Sequence, residues 1–277
     1  MKKSFFAMLG LAVSLVFTGC GGGDNPVDGG PGLGTNPNSK IKVGATPVPH
    51  AELLAEIKSD LQAEGITLEI VEFNDYVQPN IALNDRELDA NFFQHEPYLD
   101  DFMKEHSEMK LKNAGGVHVE PMGIYSSKIK KIEDVPFGGK VSIPNDPTNG
   151  GRALLLLDKA GLITLREGAD TSATVQDIIS NNNNLQIQEI EAAQLPRTLD
   201  DVDIAVINTN FAMNANLNPV DDALFTEDKT SPYVNIIVVR NGEENRPEIQ
   251  ELLKALHSEK IKNFIKEKYK GAIVPAF

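Results

Sequence analysis

The feature that most constrains this chain is a strand–helix–strand succession joined by very little connecting sequence. Lys40–Thr46 alternates Ile41 and Val43 with lysine and glycine, the period-two pattern of a strand. After two prolines, residues 50–64 place Leu53, Leu54, Ile57 and Leu61 on one stripe at helical spacing, and Gly65 stops it. Thr67–Phe73 reads as a second strand. Two strands joined through a helix pair in the same direction with a right-handed crossover, so a parallel sheet flanked by helices is expected. A short helix over Val77–Asn84 follows.

The pattern recurs further along. Lys140–Pro144 reads as a strand, Asn149–Ala160 as a helix and Leu185–Glu189 as a strand, with a helical turn over Gln194–Leu199. Asp203–Ile207 is an apolar strand running into a helix from Asn210. Tyr233–Arg240, rich in Val and Ile, is a late return strand, and two helices with stripes Ile249, Leu252, Leu253, Leu256 and Ile261, Phe264, Ile265 close the chain. The sequence therefore predicts an α/β protein of two lobes. Residues 40–122 plus 234–277 form lobe 1 and residues 123–233 form lobe 2, with crossings near Pro121–Tyr125 and Ser231–Asn235. A ligand belongs in the cleft between such lobes.

The N-terminal segment carries a different message. Lys2 and Lys3 precede an apolar run, Phe5–Phe17, which is too short to span a bilayer but fits the core of a secretory signal. Thr18, Gly19 and Cys20 follow. That order resembles the lipobox of bacterial lipoproteins, although Phe17 stands where Leu or a close relative is usual. Residues 1–19 are then a signal peptide and Cys20 carries the acyl chains. Residues 20–39, a Gly-, Pro- and Asn-rich stretch with almost nothing to bury, are read as a flexible tether. A doubly or triply acylated cysteine holds a protein firmly on a membrane, so the folded part is expected outside the cytoplasmic membrane.

Composition narrows the function. A formal net charge of −14 disfavours nucleic acid, whose phosphates want a basic stripe. The densest basic stretch, Lys260–Lys270, alternates with Ile, Phe and Tyr as a solvated helix face does. A lone cysteine excludes an intrachain disulfide framework. No nucleophile elbow, phosphate loop or zincin motif is present. His95-Glu96 begins like the last of these but continues into Pro97, and Asn145–Gly151 lacks the terminal glutamate of a calcium loop. No enzyme activity, cofactor or metal site is expected.

Polar and aromatic clusters at strand ends remain. Asn74-Asp75-Tyr76 follows a strand, and Ala90–Asp100 gathers Phe92, Phe93, His95 and Tyr98 beside a proline, a grouping that core packing also explains. In Ser142–Leu157 a strand ends, Thr148 or Asn149 can cap the next helix, and Gly150-Gly151 permit close approach of another group. Arg152 falls in the first helical turn, where a cation opposes the helix dipole, so an anion belongs nearby. That anion is a ligand carboxylate or a plain acidic side chain. Asn208 and Asn235 end or flank apolar strands, a position also common for simple turn formers. Together these suit an amino acid with an apolar tail, and none is an activated nucleophile.

The same residues carry a resemblance. FFQHEPYLD, VHVEPMGIYSSK, SIPNDPTNGGRALLLLDKAGLI, EIEAAQLPRTLDDVDIAVIN and EDKTSPYVNIIVV are similar to segments of the methionine-binding lipoproteins, the substrate-binding components of methionine ABC importers. The likeness covers about residues 40–277. It implies a periplasmic-binding-protein fold of type II, a methionine ligand, a permease partner in the cytoplasmic membrane and a monomer. By motif, Tyr76, Phe93 and His95 correspond to the side-chain pocket, Arg152 to the carboxylate anchor, and Asn208 and Asn235 to residues holding the amino-acid backbone atoms. Phe92, Asn149 and Tyr233 adjoin them. Asn210 stands where the family more often has a small or hydroxyl residue, and is expected to sit behind the ligand-facing groups. Rival readings are a receptor for D-methionine, oxidised methionine or a methionine-containing dipeptide, a surface adhesin, and a lipid-anchored hydrolase.

Overall fold

The computed structural model describes residues 39–228 and 231–277; the signal, Cys20 and most of the tether lie outside these residues. Strands β1 (Ser39–Ala45), β2 (Ile66–Glu72), β3 (Ala90–His95) and β4 (Leu111–Val119) form a first sheet. Between β1 and β2 the expected single helix is broken. A turn over Pro47–Ala51 leads into α1 (Glu52–Glu56), and Ile57, with ψ near 0°, separates it from α2 (Lys58–Ala63). The apolar stripe survives the break, since Leu53, Leu54, Ile57 and Leu61 are all buried. Helix α3 (Gln78–Asn84) precedes β3, and α4 (Glu96–Glu105) follows it.

The chain then crosses to a second sheet through β5 (Gly123–Tyr125). Next come β6 (Lys140–Pro144), α5 (Pro147–Lys159), a small ribbon of β7 (Thr164–Leu165) and β8 (Ile178–Ser180), β9 (Gln186–Ile190), β10 (Ile204–Ile207), α6 (Thr209–Asn214) and β11 (Phe225–Thr226). It returns to the first sheet through β12 (Val234–Arg240), runs through α7 (Pro247–Leu256) and α8 (Glu259–Tyr269), and ends in β13 (Val274–Pro275). The strand orders are β13-β4-β12-β3-β1-β2 and β11-β5-β10-β6-β9. In the first, β1 pairs parallel with β2 and β3 while β12 pairs antiparallel with β3 and β4. In the second, β6 is parallel to β9 and β10. Two α/β lobes joined by two crossings result.

Each sheet is covered on both faces. In the first, Ile41, Val43, Phe92 and Ile237 pack with α1, α2, α7 and α8. Phe93, Ile236 and Val238 pack with α3 and α4. Along β10, Ile204 and Val206 face α5 while Ala205 and Ile207 face α6, the strand alternation put to use twice.

Helix α5 begins two residues before its expected start. Asp146, not Thr148 or Asn149, is the N-cap, accepting the Asn149 N–H at 2.9 Å. Pro147 fits the first turn because its φ is already helical and the N–H it lacks would have no partner there. The close approach anticipated for Gly151 is made by the protein itself: a Cβ there would stand 2.2 Å from the Thr171 carbonyl oxygen.

Candidate ligand-binding site

A small, partly enclosed cavity lies between the two sheets. Residues from the first lobe form one wall. Phe93, Gln94 and His95 arrive on β3, Tyr98 on the first turn of α4, Tyr76 from the segment after β2, and Asn235 from β12. The second lobe supplies Asn149 and Arg152 from the start of α5, and Asn208, Thr209 and Asn210 from the β10–α6 junction. Glu120, in the first crossing, completes the lining.

Arg152 is 97% buried in side-chain terms, as the low exposure of 3% records. Its Nε and Nη2 donate to the two carboxylate oxygens of Glu227 at 2.7 and 2.5 Å, and Nη2 also donates to the Glu120 carbonyl at 2.8 Å. Glu227 in turn accepts the Met122 N–H at 2.9 Å. The anion anticipated from the position of Arg152 is therefore an internal carboxylate, and it ties the guanidinium to the first crossing. The Tyr233 ring lies under the guanidinium, 4.0 Å away, a favourable cation–π geometry.

The aromatic end is formed by Tyr76, Phe93 and Tyr98, whose ring centroids lie 5.7 to 6.1 Å apart, with Phe211 packed 4.8 Å from Tyr76. Two hydrogen bonds span the cleft here. The Tyr76 hydroxyl donates to Asn210 Oδ1 at 2.6 Å, and His95 Nε2 bonds Asn149 Oδ1 at 3.1 Å.

Behind Asn235 sits a buried polar cluster. In the sheet Asn235 lies between His95 and His118, next to irregularities in the register of β12 that re-aim its side chain. His50 Nε2 lies 3.0 Å from Asn235 Oδ1 and 3.2 Å from Glu120 Oε1, and His118 Nε2 lies 2.8 Å from the same carboxylate oxygen. Burial lowers the pKa of His50 to about 4 and of His118 to about 3; burial, then the charge of Arg152, lowers that of His95 to about 3. All three imidazoles are neutral at pH 7. Burial also raises the pKa of Glu120, against the pull of His50 and Arg152. Among the described residues His50, His118 and Glu120 are the one grouping whose donor atoms, within 4.8 Å of one another, could gather around a metal ion; His118 Nε2 bonds Glu120, and His118 Nδ1 is buried without a partner.

Of the residues expected at a site, the cavity lining contains Tyr76, Phe93, His95, Asn149, Arg152, Asn208 and Asn235. Phe92 is a correction: strand alternation turns it to the opposite face, fully buried, with its ring edge-on to His50 and His118. Tyr233 supports Arg152 without joining the lining. Asn210 is a second correction, since it lines the cavity and holds Tyr76. Glu120, Gln94 and Thr209 were not anticipated, and Tyr98 was read only as part of the aromatic cluster. The spacing of His118 and Glu120 in VHVEP was the available signal, because alternate residues of a strand share a face.

A family model described as NlpA lipoprotein matches residues 41–277 of this chain. The chain belongs to the NlpA lipoprotein family. Within it, this family member is 42% identical over 279 residues to the methionine-binding lipoprotein MetQ of Bacillus subtilis, covering 99% of each chain. It is 41% identical to the D-methionine-binding lipoprotein MetQ of Escherichia coli K12, covering 98% of this chain and 97% of the relative. Among solved structures it resembles a nutrient-binding protein from Burkholderia cenocepacia bound to methionine, at 48% identity and a TM-score of 0.82. That match covers 86% of this chain and all of the other. The fold of this NlpA-family chain is accordingly that of the type II periplasmic binding proteins. No described helix is long and apolar enough to cross a membrane.

Proposed function

We propose that this protein captures methionine in the interlobe cavity and hands it to an ABC permease in the cytoplasmic membrane. It works outside that membrane as a monomer, held by lipid on Cys20. The observation that carries the reading is a buried guanidinium and a buried amide oxygen without a partner, Asn208 Oδ1, in one cavity walled by three aromatic rings. A zwitterion answers both polar demands at once, since an unmet buried acceptor is costly. The rings of Tyr76, Phe93 and Tyr98 suit a polarizable thioether. Arg152 serves the carboxylate. Because Glu227 already balances Arg152, a ligand with no net charge fits better than an anion. The lobes, taken as residues 40–122 plus 234–277 and residues 123–233, close over the ligand by hinge movement at the two crossings.

A second reading concerns handedness: relatives described as D-methionine-binding make D-methionine a competing ligand. The test is calorimetric titration of the protein, unfolded and refolded to strip carried-over ligand, with L- and D-methionine and with leucine. Saturable heat from one or both methionines and none from leucine supports the proposal. No heat from either enantiomer refutes it.

A further inference from the structure

Two histidines near the cavity each have one ring nitrogen whose role the surroundings dictate. His50 is completely buried and neutral, and its Nε2 lies 3.2 Å from Glu120 Oε1, a close approach to an acidic oxygen that favours an N–H over a lone pair on that nitrogen. The proton therefore sits on Nε2, and Nδ1 accepts from the Thr46 hydroxyl at 2.7 Å. With a donor at Nε2, Asn235 can face His50 only through its oxygen, at 3.0 Å. A flipped amide would set N–H against N–H. The Nδ2 edge of Asn235 is thus left for the cavity it lines.

The opposite sense is imposed on Asn208. His95 Nδ1 accepts the Tyr98 N–H, so its Nε2 carries the proton and donates to Asn149 Oδ1 at 3.1 Å. Asp146 takes Asn149 Nδ2 at 2.9 Å, fixing that amide as well. Asn149 Oδ1 then has only acceptor capacity to offer, and Asn208 meets it with Nδ2 at 3.0 Å. Asn208 Oδ1 is left buried and without a partner.

We propose that His50 and His95 are positioning residues that turn two cavity amides in opposite senses, Asn235 donor-first and Asn208 acceptor-first. Head-group polarity follows: carboxylate towards Arg152 and Asn235, ammonium towards Asn208. This rests on the amino-acid reading above and deepens it, because it makes the orientation of a zwitterion a property of residues that need not touch it.

Two measurements test it. Long-range proton–nitrogen correlation spectra of the intact, uniformly labelled protein report which ring nitrogen is protonated. Nε2–H is expected for both His50 and His95, and Nδ1–H on either overturns the inference without any substitution. Calorimetry then compares L-methionine with L-methioninamide, which lacks the anionic oxygen, in wild type, His50→Leu and His50→Gln. In His50→Leu, Asn235 is free to flip and offer its oxygen to the ligand amide. Wild-type preference for the acid is expected to shrink about tenfold, as befits one hydrogen bond to a charged group. Glutamine, which restores an N–H towards Asn235, is expected to recover most of it. Parallel loss for both ligands marks His50 as merely structural and overturns the inference. Wild type that binds neither ligand fails the amino-acid reading itself and takes the inference with it.

Discussion

All five histidines, at positions 50, 95, 106, 118 and 257, belong to the first lobe's segments, and the second lobe has none. The two walls of the cavity differ in the same way. Lobe 1 presents the three aromatic rings beside His95, Gln94, Asn235 and Glu120, whereas lobe 2 presents amides, a hydroxyl and a guanidinium at the start of α5 and at the β10–α6 junction. The first wall is built to receive an apolar tail and to set orientation through proton positions that burial enforces. The second carries the permanent charge. A cleft so divided binds well only when both walls meet the ligand.

The largest test of this division is Arg152→Ala. Truncating a desolvated charge anchor is expected to cost about 2–5 kcal/mol of methionine affinity, partly because Glu227 loses its partner. Titration calorimetry reads it directly. Unchanged affinity would move the ligand carboxylate away from lobe 2 and dissolve the contrast.

Acid distinguishes the lobes next. His50, His95 and His118 titrate at about 4, 3 and 3 when folded but near 6.5 when unfolded. The unfolded chain therefore binds more protons below pH 6.5, and stability, full above that value, is lost as pH falls towards 4. At pH 5 each histidine contributes a loss of about 2 kcal/mol. Glu120 and Asp146, whose pKa values burial raises, oppose this, since the folded state holds their protons more readily. Hydrogen exchange between pH 6.5 and 5 is expected to lose protection in β1, β3 and β4 before β6 and β10. Equal loss in both sheets would show that the histidines do not set acid sensitivity.

How much of this the sequence showed depended on how exposed each pattern was. Helices α7 and α8 have one face buried and one polar, and the start of β1 alternates buried Ile41 and Val43 with more exposed lysines, so their periods can be read. The β3–α4 segment was seen only as an aromatic cluster, because Phe92 and Phe93 are both buried on opposite faces and alternation disappears when both faces are covered. Pro97 stands in the first turn of α4, where it is tolerated. β4, with its Gly115-Gly116 pair, offers no clean period at all. At the site, motif carried Arg152, Asn208 and Asn235. Glu120 and the histidine cluster depend on long-range pairing, with His50 and Asn235 separated by 185 residues, and no local pattern joins them.

A smaller effect probes the aromatic wall. Phe93→Leu keeps the position apolar but removes the ring that faces Tyr76 and Tyr98. Methionine affinity is expected to fall by about 1.5 kcal/mol at most, from lost sulfur–aromatic contact. Norleucine, which has the tail without the sulfur, is expected to lose less. Equal losses would assign Phe93 a packing role only.

The smallest effect concerns the bond between the walls. Tyr76→Phe deletes one hydroxyl, and with it the 2.6 Å donation to Asn210, while leaving the ring contacts with Phe93 and Phe211 in place. Because that bond joins residues of different lobes, it contributes only when the cleft is shut. Its loss of about 1 kcal/mol is expected in the closed, liganded state. The ligand then dissociates several-fold faster, as affinity changes usually fall on the off-rate, while the melting temperature of the ligand-free protein barely moves if its cleft stands open. A fall in ligand-free melting temperature with no change in dissociation would mean that the lobes stay shut without ligand. The two walls would then form a standing pocket, and the division of labour between them would no longer depend on closure.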